Sequence, residues 1–288
     1  DEISTHVVSA LEVELAPGDR QRLTRKYVTS VEAYDQFLRG IDLLGRRSGE
    51  DNNLAKSHFE QAIALEPRFS RAYAGLAQAY AQDAVYDRGP KVAQSLVRAE
   101  ALARKGLEID DTLPQLRFVI GMVEMFNGNL ESATAEVLRA IELKPSYADG
   151  YGLLARIMHC AGRPQEGREA IDQAIRLNPR VPALYRMVDG ALLYQLERHD
   201  AALEQLTASV DVSPNLLLSR LYLAAAYAGS NRLEEANWEV DEILSFNPQF
   251  TLAYLDYGFP MRDQSFRQRF LDDLRRAGLP ELPLQTAE

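Results

Sequence analysis

Apolar positions along this chain come in blocks of helical spacing broken by short polar stretches, and the same block returns several times. Ala62 to Tyr80 reads AIALEPRFSRAYAGLAQAY, Ala140 to Met158 reads AIELKPSYADGYGLLARIM, and Ala174 to Leu192 reads AIRLNPRVPALYRMVDGAL. Each runs from a small residue through an apolar pair to a proline, after which an apolar helix starts afresh. Proline cannot continue the hydrogen-bond ladder of a helix and restricts the residue before it, so these prolines mark helix ends. Pro145, Pro179, Pro214 and Pro248 are 34, 35 and 34 positions apart, and Asp111 takes the proline's place another 34 before Pro145. Pro67 lies 44 before Asp111, so this unit is longer than the rest, with Asp83 to Val92 as the simplest insertion.

Positions inside the units also have a fixed character. Counted from each terminator, an aromatic often stands six places on (Tyr73, Tyr151, Tyr185, Tyr254) and a small residue ten places on (Ala77, Gly121, Ala155, Ala224). Small residues recur in the second half of the units as Ala55 and Ala62, Ala133 and Ala140, Gly167 and Ala174. Such residues are needed where two helices cross closely, because large side chains there would hold the helices apart. Turn sequences separate the halves: GNL at Gly128, GRP at Gly162, ERH at Glu197 and SNR at Ser230. Arg117 and Arg220 depart from the aromatic position, and one extra residue falls near Asp189.

Helix–turn–helix units repeating near 34 residues resemble the tetratricopeptide repeat. The resemblance implies an all-α, right-handed superhelical solenoid of about six helix pairs plus terminal capping helices. One helix pair cannot bury its own apolar face, so stacked neighbours share a core that grows in one dimension. The organisation expected is an N-terminal amphipathic helix and linker over 1–29, six helix pairs over 30–248, and a half-repeat with a capping helix over 249–288. The first segment carries the stripe Ile3, Val7, Val8, Leu11 and Leu15, and the last carries Phe266, Phe270, Leu271 and Leu274 before a stop at Gly278 and Pro280.

Three stretches outside the repeat pattern, DEISTHVVSALEVEL, EAYDQFLRG and FPMRDQSFRQRFLDDLRRAGLPE, resemble the C-terminal repeat region of bacterial class III adenylate/guanylate cyclases and related winged-helix, TolB-like regulators. In that family a catalytic or DNA-binding domain lies upstream, and the repeats are a regulatory or interaction module. The resemblance implies a role and no reaction, since none of the catalytic or metal-binding residues of a cyclase has a counterpart here.

Composition narrows the partners. A net charge of −10 argues against direct nucleic-acid binding, which needs clustered Lys and Arg. No apolar run approaches the ~20 residues that span a bilayer, and the single Cys160 suits a reducing, cytoplasmic setting. No cofactor and no metal is expected: GYGLLA at Gly150 follows a helix end rather than a strand, and His6, His58 and His199 lack ligand spacing. His159 and Cys160 are neighbours on a helix, which points their side chains apart. Trp238 falls in a second helix and is expected to pack.

By the family resemblance, the first-helix positions four, seven, eleven, fourteen and fifteen places after each terminator face the concave side. They supply the partner-binding candidates Phe118, Met122, Met125 and Phe126 in the third unit, Arg156 and His159 in the fourth, and Arg186 and Tyr194 in the fifth. A Met- and Phe-rich patch beside Arg156 and Arg186 suits a protein or peptide that is amphipathic and carries an acidic group. Periodicity alone does not separate such a groove from a packed core. Self-association as a homodimer and a small-molecule cavity closed by the Asp83 to Val92 insertion are the alternatives. Ala74, Phe118, Gly152 and Leu221 fill slots where relatives that clamp a C-terminal carboxylate of chaperones carry Lys-type residues, which disfavours that ligand.

Overall fold

Why a period of 34 recurs is visible in the helix lengths. In a computed structural model, which describes residues 30–46, 49–86, 91–257 and 260–282, the described residues form fourteen helices. The amphipathic stripe expected over 1–29 lies outside the described residues. The first pair is α1 (Val31–Arg46) and α2 (Gly49–Leu65), the second α3 (Ser70–Tyr86) and α4 (Lys91–Ile109). Then follow α5 (Pro114–Phe126) with α6 (Leu130–Leu143), α7 (Ala148–Cys160) with α8 (Pro164–Leu177), α9 (Ala183–Gln195) with α10 (His199–Val212), and α11 (Leu217–Gly229) with α12 (Leu233–Phe246). A short α13 (Leu252–Tyr257) and α14 (Gln264–Arg276) close the series. From α5 to α12 every first helix has 13 residues and every second helix 14.

The turns between the helices of a pair are equally uniform, at 127–129, 161–163, 196–198 and 230–232. The middle residue of each, Gly128, Gly162, Glu197 and Asn231, has φ of 80°, 75°, 60° and 60°. This left-handed conformation reverses the chain at no cost for glycine and at some cost for Glu197. The turn between pairs is 144–147 and 213–216 elsewhere but 178–182 before α9, so the extra residue sits there and not near Asp189. Everything in the fifth unit after that turn is shifted by one place.

Helices cross where the small residues stand. Ala55, Ala62, Ala77, Ala133, Ala140, Ala155, Ala174 and Ala224 are all fully buried. At Gly121 the approach is close: an added Cβ would lie 2.5 Å from Val137 Cγ2 and 3.1 Å from the Ala133 carbonyl oxygen. The core is continuous along the stack. One cluster spans α3 to α7, another α7 to α14, and Leu154 packs against both. The ten extra residues of the second unit lengthen α3 to 17 and α4 to 19 residues. Asp83 is held there by Lys56 Nζ at 2.6 Å and by the Asn52 side chain at 2.9 Å.

At the C-terminal end the chain turns back. The Asp263 carboxylate accepts the Phe266 N–H at 3.0 Å and starts α14. Gly278 (φ 92°) ends it: the Gly278 N–H donates to Arg275 O and the Leu279 N–H to Leu274 O, with Leu274 and Leu279 buried together. Rather than only covering the last pair, α14 and the residues leading into it run back across pairs three to six. Arg262 N–H donates to the Cys160 carbonyl at 2.9 Å, Arg262 pairs with Glu131 and Arg269 with Glu197, and the Asn237 side chain reaches Ala277 O.

Candidate functional site

The first helices α7, α9 and α11 bring a buried polar and aromatic cluster under α14. His159 stands at its centre. Its Nδ1 lies 2.7 Å from Gln195 Oε1 and its Nε2 2.6 Å from the Tyr222 hydroxyl. Because Gln195 offers an oxygen there while its amide nitrogen faces the His159 carbonyl, Nδ1 is the protonated nitrogen and Nε2 accepts the Tyr222 O–H. Burial pushes the imidazole down to about 4, aided by the nearby Arg156 charge against the Gln195 bond. The Tyr194 hydroxyl, pushed well above its usual range by burial, donates to Asp273 of α14 at 2.6 Å. Phe266 and Phe270 of α14 complete the cluster, Phe270 stacked on Tyr222 with centroids 4.7 Å apart.

Next to it lies a cavity of about 30 Å³, room for about one water. Phe126, Arg156, Cys160, Met187, Tyr222 and Pro260 are among its walls. The Arg156 guanidinium sits 5.0 Å from the Phe126 ring centroid. Its electrostatic neighbours among the described residues are the neutral Cys160 and Tyr222, with no carboxylate paired to it, and burial lowers its proton affinity. A cation on an aromatic face in an apolar wall is a place where a carboxylate would be bound strongly.

The expected residues divide. Phe126, Arg156 and His159 are brought together around the cavity. Phe118 is buried edge-on against Tyr147, Met122 is buried beside it in the same cluster, and Met125 and Tyr194 are wholly enclosed. Phe118, Met122 and Met125 pack between helices of the stack, while Tyr194 is enclosed by α14 and donates to its Asp273. Arg186 is absent from the cavity wall. With the extra residue in the 178–182 turn, Met187 and Ala191 take the inward places, and Arg186 falls in register with Arg117 and Arg220. Its Nε is buried without a hydrogen-bond partner. Tyr222, Gln195 and Pro260 belong to the site and escaped sequence reading: Gln195 and Tyr222 come from the stacked first helices α9 and α11, and Pro260 arrives by the return of the chain, of which local periodicity carries no trace. Trp238 is 55% exposed rather than packed, with Arg220 5.6 Å from its ring.

His159 and Cys160 do share the cavity wall, but their chemistry is not that of a nucleophile and base. Burial pushes the thiol up to about 11, both imidazole nitrogens are engaged, and an activated cysteine needs the reverse. Among the described residues no group of three His, Cys, Asp or Glu could hold a metal ion. No described helix is long and apolar enough to cross a membrane. Asp83, the described end of the longer unit, turns to Asn52, Lys56 and Ser95, and none of the described residues of that insertion lines the cavity.

Comparison with known proteins agrees with the architecture. Solved structures with the same course of chain include the APC/C hetero-tetramer Cut9-Hcn1 (TM-score 0.60, 16% identity, 85% of this chain and 46% of that one). Others are PilF of Pseudomonas aeruginosa (TM-score 0.52, 18% identity, 78% of this chain and 96% of that one) and the TPR protein TTC0263 of Thermus thermophilus (TM-score 0.51, 18% identity, 69% and 99%). The fold is therefore the tetratricopeptide-repeat solenoid. No family model matches the sequence. Among characterised sequences, "Putative adenylate cyclase 3" of Rhizobium meliloti (strain 1021) is 27% identical over 133 residues. That match takes in 46% of this chain and 23% of the relative.

Proposed function

We propose that this chain is a non-enzymatic interaction scaffold whose groove around Arg156 takes a protein or peptide segment bearing a carboxylate. The observation that carries this reading is the Arg156 guanidinium, set against the Phe126 ring in an apolar wall with no described carboxylate beside it. A half-buried charge left without a counter-ion is unfavourable, and an incoming carboxylate relieves that cost while gaining a charge-assisted, bidentate bond. We further assign the chain to the regulatory repeat region of a cytoplasmic signalling protein of the adenylate cyclase type. The partial likeness to the Rhizobium protein and the stretches outside the repeat pattern support that assignment.

An array of amphipathic peptides, with and without Asp or Glu, tests the binding reading. Hits bearing a carboxylate are expected to be preferred, and Arg156→Ala is expected to weaken them by about 1.5–3 kcal/mol, the worth of a hydrogen bond to a charged group. Hits with no acidic preference, or unmoved by Arg156→Ala in calorimetry, would sink it. Turnover of ATP or GTP by the purified chain, abolished by a point substitution, would overturn the non-enzymatic assignment.

A further inference from the structure

We propose that α14 is a removable occupant of the groove, docked in cis where a partner helix of the same pattern docks in trans. The inference rests on the binding reading above and gives the partner a shape. Helix-in-groove recognition uses anchors spaced three or four residues apart on one helix face. On α14 these are Phe266 and Phe270, both buried, followed by Asp273. Phe266 sits edge-on to His159 and Tyr194, with centroids 5.4 and 5.8 Å away, while Phe270 stacks on Tyr222. Asp273 takes the Tyr194 hydroxyl.

Towards its C-terminal end Leu274, Ala277 and Leu279 are buried in the same apolar cluster, and the contacts at the rim are electrostatic. Arg262 meets Glu131, Arg269 meets Glu197, and Arg276 reaches the Asn231 side chain at 3.3 Å. Exposed ion pairs contribute little each and are screened by salt, so they orient the helix more than they hold it. What α14 leaves undone is the pairing of Arg156: the chain enters the helix past Pro260, which lines the Arg156 cavity and carries no charge. A competing segment that repeats the aromatic pair, Asp273 and the buried apolar end of α14, keeps basic residues aimed at Glu131 and Glu197, and carries an acidic residue at the place of Pro260 keeps these contacts and adds one. That pattern defines the partner, and its advantage over α14 is the bond to Arg156.

Cys160, the chain's single cysteine, reports on the lid directly, since it is buried beneath this segment. The experiment uses the full chain and its Phe266→Ala/Phe270→Ala double variant, with labelling by a thiol reagent. A fluorescent peptide of residues 260–282 bearing Pro260→Glu is the binding probe. The double variant is expected to keep its helical signal, label at least tenfold faster at Cys160, and bind the probe at least tenfold more tightly than the wild-type chain does. Adding Arg156→Ala is expected to erase the advantage of the glutamate probe over the unsubstituted peptide. Unchanged labelling, an opened variant that ignores the probe, or loss of the helical signal each overturn the proposal, the last because α14 is then core. In the wild-type chain, α14 amides exchanging with deuterium well before those of α9 and α11 support it, and exchange in one step with them overturns it. An acidic preference lost in Arg156→Ala can persist even if α14 never leaves, so the two readings fail separately.

Discussion

His159 carries the clearest pH signature at the scale of single residues. Its folded proton affinity is lowered to about 4, below the ordinary 6.5, so between those values the unfolded chain binds a proton that the native chain does not. Stability then rises with pH through that window and is lost as pH falls from about 6.5 toward 4, by on the order of 3 kcal/mol in total. The groups facing the ring are Arg156 on its own helix, Gln195 at the end of α9, Tyr222 on α11 and Phe266 on α14. Urea denaturation of wild type and His159→Gln at several pH values should show a difference that shrinks across this range, and a constant difference would count against the assignment. Glu197 is a second case, since its φ of 60° is strained for a residue with a Cβ. Glu197→Gly should relieve about 1 kcal/mol of backbone strain while removing the exposed partner of Arg269, with a small net gain in thermal stability. The inward role of Arg156 could be read from the repeat register. That of Arg186 could not, because a single added residue in the 178–182 turn rotates the following helix by one position.

The element scale is where the repeat grammar was most readable, down to its exceptions. Arg117 and Arg220 stand at the place of the first aromatic, and each finds a glutamate on the second helix of its own pair: Arg117 Nη1 to Glu136 Oε2 at 3.0 Å, Arg220 Nη1 to Glu239 Oε2 at 2.7 Å. In the fourth unit, where the aromatic Tyr151 is kept, the corresponding second-helix place is Ala170, so the exchange of aromatic and alanine for arginine and glutamate was present in the sequence as a paired change. The Arg220–Glu239 pair is the more buried of the two, and desolvation raises the Glu239 carboxyl despite the guanidinium beside it. Arg220→Ala should therefore cost about 3–5 kcal/mol, measured by denaturation, because it strands a buried carboxylate. Glu239→Gln should cost less, since the Arg220 guanidinium keeps Glu242, 3.1 Å away, as its counter-ion. Helix crossing gives a complementary prediction. Gly121→Ala pushes a methyl against the Ala133 carbonyl, which cannot move aside as a side chain can, and should destabilise by about 1–3 kcal/mol.

For the molecule as a whole, the decisive feature is that α14 breaks the nearest-neighbour rule of a repeat stack. In a simple solenoid each pair is stabilised by the pairs beside it, and opening spreads from the ends. Here α14 and the residues flanking it, from Arg262 to Ala277, tie pair three at Glu131, pair four at Cys160, pair five at Glu197 and pair six at Asn231 and Asn237 into one unit. Pairs one and two receive none of these ties: pair two joins pairs three and four through a shared apolar core, and pair one meets pair two around Phe59 and Phe69. Local repeat patterns predict each pair but not this long return, whose anchors lie 131 positions apart between Arg262 and Glu131. Stability should therefore be graded along the chain, with a step between the second and third pairs. Hydrogen exchange read by mass spectrometry should find α1 to α4 opening at lower free energy than α7, α9 and α11, and Phe270→Ala should narrow the gap by lowering protection from α5 onward alone. Uniform protection from α1 to α12, or a Phe270→Ala effect spread evenly to α1, would mean that the stack behaves as one cooperative body and that the return of α14 adds nothing beyond closing its end.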